Sequence, residues 1–181
     1  MTNDEIKDMY LEMGIDLNEL GCIMLEVEKL TVSDVVPEEE LYFSGSAKFA
    51  QGIVCEWKEP HVTLLFGLMQ KGQTWRKYVD MLIEDIDLTK IKINEVITFD
   101  NVMDGDEVSI YVGEVEPTEE LIKANAELRR LPHIDTFVDY KPHITLFYAK
   151  RNDEIKQDLL NELNERFAGK SISTGGLDYG S

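Results

Sequence analysis

The sequence predicts an α+β fold built from two related halves. Three observations lead there. Stretches of strand-like alternation are interspersed with stretches of helical spacing. A heptapeptide, PHVTLLF at 60–66, returns nearly unchanged as PHITLFY at 142–148. Each copy is followed by a helix-patterned stretch and then a β-patterned one. A long unit that occurs only twice is a duplicated lobe, not a solenoid.

The elements follow in order. Residues 3–13 read as a helix, with Asn3 as candidate N-cap and Ile6, Met9, Tyr10 and Met13 at helical spacing. Gly14 suits the position after the last turn. Residues 1–19 are expected to be an N-terminal helical extension, 20–178 a single domain and 179–181 a tail. Residues 20–28 (LGCIMLEVE) read as a strand. The stretch 31–51 is irregular, and its Glu38–Glu40 run reads as a solvated turn. Residues 61–66 form a strand stopped by Gly67. Residues 73–85 form a helix with Trp75, Tyr78, Val79, Leu82 and Ile83 on one side. Residues 91–99 and 107–115 alternate as strands around Asp104–Gly105, a hairpin signal. Residues 117–131 form a helix with Pro117 in its first turn and Leu121, Leu128 and Leu131 as its stripe. Residues 143–149 are a strand. Residues 152–167 give the clearest helix: Asn152 caps it, Ile155, Leu159, Leu160, Leu163 and Phe167 line one face, and Gly169 ends it. The last stretch is expected to give one short edge strand over 170–175 and then fray.

Composition excludes several functions. The 181 residues carry 18 basic and 36 acidic side chains, a net charge of −18, which repels polyanions at long range. Coating of long DNA or RNA and binding to an anionic membrane are disfavoured. No apolar run approaches the ~20 residues of a membrane span. The acidic N-terminus lacks the marks of a signal peptide. Cys22 and Cys55 are isolated thiols, so a reducing, cytoplasmic setting is expected.

The chemistry resides in the repeat. Two of three histidines occupy the same place in the two heptapeptides. In a strand, residues i and i+2 share a face, so His61 and Thr63 point one way and Val62 and Leu64 the other. His143 and Thr145 do the same against Ile144 and Leu146. Two imidazoles, one neutral and one protonated, can serve as base and acid on opposite sides of a phosphorus. Two threonine hydroxyls can donate to its non-bridging oxygens. No metal or other cofactor is needed, and no ligand spacing flanks either histidine.

These motifs resemble the paired H-x-[ST]-x motifs of the 2H phosphoesterase superfamily. That family includes LigT-like RNA 2′,5′-ligases and cyclic phosphodiesterases, and phage nucleases that destroy the cyclic oligonucleotide messengers of bacterial CBASS immunity. The resemblance covers roughly residues 20–178 and resides in about ten residues. It implies a bilobal α+β fold, with two pseudo-symmetric lobes of antiparallel sheet and outer helices around a central cleft. It implies catalysis by His61 and His143, with Thr63 and Thr145 on the phosphate. The implied activity is metal-independent cleavage of cyclic nucleotides or cyclic oligonucleotide messengers, in a phage protein evading CBASS immunity. The alternatives are a 2′,3′-cyclic phosphodiesterase or 2′–5′ RNA-processing enzyme, and a nucleotide sponge without turnover.

Residues near the motifs complete the expectation. Lys58, Lys71, Arg76 and Lys77 surround the first motif, and Lys141, Lys150 and Arg151 the second, as an anionic substrate requires. Trp57, Tyr140 and Tyr148 are placed to stack on bases, and Tyr42 to act from a lid. Three residues past Thr145, Tyr148 faces away from the cleft unless the strand is bulged. Lys141 is a candidate phosphate contact. His133, at a helix end, reads as a cap or surface residue.

Overall fold

The computed structural model describes residues 3–16, 19–42, 60–103, 105–135 and 139–180. Six strands are built from the alternating segments: β1 (Gly21–Val27), β2 (His61–Leu68), β3 (Lys90–Met103), β4 (Asp106–Val115), β5 (His143–Lys150) and β6 (Ser171–Asp178). They form one antiparallel sheet in the order β2-β1-β6-β3-β4-β5. Among the described residues, four α-helices accompany them: α1 (Asn3–Glu12), α2 (Arg76–Ile83), α3 (Glu119–Leu128) and α4 (Asp153–Phe167). The class is α+β, as the periodicities indicate.

Alternation decides which face each strand buries. Ile23 and Leu25 of β1, Val62 and Leu64 of β2, and Ile144 and Leu146 of β5 enter one core with Leu121 and Leu128 of α3 and Leu159 and Leu163 of α4. Full burial of each such side chain stabilises by about 1.5–3 kcal/mol. The core is continuous across the sheet, where two lobes were expected. Within the sheet, the groups β2-β1-β6 and β3-β4-β5 are joined by pairing of Lys90–Lys92 with Ser171–Ser173.

Local signals set the helix ends. The Asn152 side chain accepts from the Glu154 amide at 3.1 Å and starts α4. Along α4, Asn164 faces β3 and grips Val96 at both its amide (2.8 Å) and its carbonyl (2.9 Å). Thr118, not Pro117, caps α3, accepting from the Leu121 amide at 3.2 Å. The proline therefore precedes the cap, and the helix is shorter than its apolar stripe suggests. A 3₁₀ turn at Gly72–Trp75 leads into α2.

The C-terminal segment corrects an expectation. β6 is not a short edge strand that frays. It lies between β1 and β3 and reaches Asp178. The backbones of β1 and β3 both need a partner on that side, and β6 satisfies them together. Beyond it, the Gly180 carbonyl accepts from the amides of Cys22 (3.1 Å) and Gly72 (2.9 Å). The Tyr179 hydroxyl bonds the Asp80 carboxylate, and Arg76 lies 4.8 Å from the centre of the Tyr179 ring.

The two edge strands, β2 and β5, lie beside each other. Edges of a six-stranded sheet come together only if the sheet curls, and that brings the two motif strands close. Side chains hold β2 from outside the sheet. The Tyr140 hydroxyl donates to the Thr63 carbonyl at 3.0 Å, and Asn125 donates to the Leu64 carbonyl at 2.6 Å. On the other edge, Tyr42 donates its amide to the Tyr148 carbonyl at 2.9 Å, and Leu41 bridges to Ala149.

Candidate active site

The two motifs sit in matching registers. On β2, His61 pairs with Glu26 of β1 and Thr63 with Met24. On β5, His143 pairs with Glu114 of β4 and Thr145 with Val112. Paired residues share a face, so each histidine has a glutamate beside it and each threonine an apolar neighbour. Both strands then slip at the same place: Leu65 pairs with Ile23, and Phe147 with Tyr111. Each slip is a bulge that sets two residues against one and reverses the alternation beyond it. Leu64 and Leu65 are both buried, as are Leu146 and Phe147.

That bulge places the aromatic residues. Past it, Phe66 returns to the face of Thr63, and Tyr148 to the face of Thr145. Phe66 is exposed and pairs with Cys22, while Tyr148 is half-buried and pairs with Ile110. Sequence reasoning passed over Phe66, Glu26 and Glu114. The signal for Phe66 was the doublet of core residues, Leu64–Leu65 and Leu146–Phe147, which breaks strict alternation. The glutamates were visible only as charges on two other strands, whose register the sequence does not display.

The remaining expected residues divide. The His143 Nδ1 atom lies 2.9 Å from the Lys141 carbonyl. A carbonyl only accepts, so in this contact Nδ1 is the donor and the ring's other nitrogen, Nε2, is not engaged by it. Lys141 itself is exposed. Tyr140 is largely buried, and burial pushes its phenol far above the ordinary range, so it stays a donor to Thr63. Its role here is to brace β2. Tyr42 is buried with Val108, Ile110 and Val112, and its hydroxyl donates to the Met103 carbonyl at 3.0 Å. It covers part of the second half and is no open lid. Trp57 lies outside the described residues.

Charge around the site is less free than the sequence suggests. Arg151 lies within ion-pair distance of Asp100 (3.5 Å), Glu107 (3.6 Å) and Asp153 (3.3 Å). Lys150 donates to the Glu39 carbonyl at 3.0 Å. His133 is held by the Leu131 carbonyl (2.7 Å) and by Asp135 (3.1 Å), a structural placement at the end of α3. Among the described residues, no group of three His, Cys, Asp or Glu side chains is arranged to hold a metal ion, and no helix is long and apolar enough to cross a membrane.

Comparison with known proteins adds the following. No family model matches the chain, and neither does any curated protein. Among solved structures, the chain is similar to Usb1 of Kluyveromyces marxianus, with a TM-score of 0.48 and 11% identity over 90% of this chain and 94% of that one. It is also similar to the structure of that protein with uridine monophosphate, with a TM-score of 0.44 and 13% identity over 82% of each chain.

Proposed function

We propose that the chain is a metal-independent phosphodiesterase of the two-histidine kind, acting on a nucleotide phosphodiester. The observation that carries this reading is the matched register of the two motif strands. Each presents a histidine beside a glutamate and a threonine two residues on, and each bulges at the same step. A core histidine needs no such duplicate. The two half-sites would bracket one phosphate.

The chemistry follows from the residues. One imidazole takes the proton from an attacking hydroxyl, either a ribose 2′-OH or a water. The attacking oxygen bonds to phosphorus while the opposite ester bond breaks. The second imidazole gives its proton to the leaving oxygen. Attack by 2′-OH yields a 2′,3′-cyclic phosphate and a free 5′-hydroxyl; attack by water opens such a ring. Thr63 and Thr145 donate to the non-bridging oxygens, where charge gathers in the transition state.

Two substrate classes suit this chemistry: a cyclic oligonucleotide and an RNA end bearing a 2′,3′-cyclic phosphate. Neither the fold nor the comparisons support a phage immune-evasion role. The test is incubation with a panel of both classes in EDTA, with products read by mass spectrometry. We expect turnover that His61→Ala and His143→Ala each reduce by about 10²–10⁴-fold. Loss of activity in EDTA that zinc or magnesium restores would overturn the reading. So would either alanine variant retaining most of the activity.

A further inference from the structure

The two halves match in their catalytic rows but differ in what covers the faces beside them. In the second half, Val112 and Ile110, next to Thr145 and Tyr148, are 4% and 7% exposed beneath Tyr42. In the first half, the equivalent Met24 and Cys22, next to Thr63 and Phe66, are only half-buried. The third strand widens the contrast. Asp178 of β6 continues the Thr63–Met24 row, where the second half has Ile97. Gly180, without a side chain, lies by Cys22 and Met24: a Cβ there would come 3.3 Å from the sulfur of Cys22 and 3.1 Å from the Met24 methyl. The first half thus has a partly exposed apolar floor with the Gly180 backbone against it, an aromatic ring on one side and a carboxylate on the other.

We propose that this floor is a nucleobase subsite selective for guanine. The assignment rests on the phosphodiesterase reading, which sets a phosphate at Thr63. From there, Asp178 is two strand spacings away, about 10 Å. That is the reach of a nucleotide from its phosphate to the far edge of its base. Phe66 offers a face for stacking, and Met24 and Cys22 offer soft apolar contact beneath. A carboxylate accepts only, so it selects a base edge with donors; guanine presents N1–H and N2–H together and can be held bidentately. Adenine and cytosine each present one exocyclic amine, and uracil only N3–H. Among the described residues the covered second half has no comparable floor, so a single base is read, on the His61 side.

The experiment is calorimetric titration of the full chain with the 3′-monophosphates of guanosine, adenosine, cytidine and uridine. Guanosine 3′-monophosphate should bind at least tenfold more tightly than the other three. Phe66→Ala should weaken all four by about tenfold, within the range of base–aromatic stacking, and Phe66→Trp should keep the affinity. Asp178→Asn, which preserves shape, should remove the preference for guanosine. Phe99, the exposed ring in the Tyr148–Ile110 row of the second half, serves as control: Phe99→Ala should change nothing. Equal affinities for the four nucleotides, or loss with Phe99→Ala in place of Phe66→Ala, would overturn the subsite. The two readings fail separately. Turnover without base preference refutes the subsite alone; base preference with no turnover refutes the catalysis alone.

Discussion

Tyr140 shows how one hydroxyl sets the distance between two half-sites. It precedes β5 by three positions yet bonds the Thr63 carbonyl on β2. Tyr140→Phe keeps the ring and removes the donor, leaving a carbonyl at the seam short of a partner. The expected loss is about 1–2 kcal/mol of stability, read by urea unfolding. Activity should fall through kcat more than through KM, because the motif strands lose their spacing while the binding groups stay. Tyr179 has a different dependence. Burial and the bond to Asp80 push its phenol up to about 12, from an ordinary value of 10.0. The raised value means that its stabilisation is full below pH 10 and is lost as pH rises toward 12. Unfolding midpoints measured across that window should fall, and Tyr179→Phe should flatten that fall.

At the scale of elements, the end of β2 depends on one glycine. Gly67 has φ +105°, and a Cβ there would lie 2.4 Å from the Ile134 carbonyl oxygen. That backbone is fixed: the Ile134 amide donates to the Gly67 carbonyl at 2.8 Å, and Leu68 bridges to His133. Gly67→Ala should cost more than about 3 kcal/mol, visible as a large drop in the thermal midpoint. The sequence marked Gly67 as a strand stop, and the strand instead continues one residue to Leu68. Most elements were legible in this way. Periodicity gave α4 and its cap Asn152, and alternation gave both motif strands with the faces of His61, Thr63, His143 and Thr145. What was hidden depends on partners distant in the chain. β6 reads as a weak terminal strand because its sequence, with Gly175 and Gly176, has poor strand propensity; it is interior because β1 and β3 require it. Tyr42 reads as a lid because nothing local shows that Val108, Ile110 and Val112 will bury it.

Across the whole molecule, the two halves exchange their third strands. After β2 and α2 the chain crosses to pair β3 with β4, and after β5 and α4 it returns to pair β6 with β1. The repeat in the sequence is therefore not a repeat of self-contained units. Each heptapeptide sits in a group of strands completed by the other half of the chain. The same exchange couples the His61 side to the C-terminus, whose Gly180 carbonyl is bonded to Cys22 beside Phe66.

That pairing has a consequence for how the protein emerges from the ribosome. β1 is made early, yet Met24 finds its β6 partner, Asp178, only after the whole stretch between them has been synthesised. The first half cannot mature until residues 171–180 have left the ribosome. A nascent chain stalled where β5 has cleared the exit tunnel but 171–180 have not should be cut rapidly by protease at β1 and β2, whereas the β4–β5 ladder should already resist. Protection of β1 and β2 should appear only when the stall point lies far enough downstream for 171–180 to clear the exit tunnel.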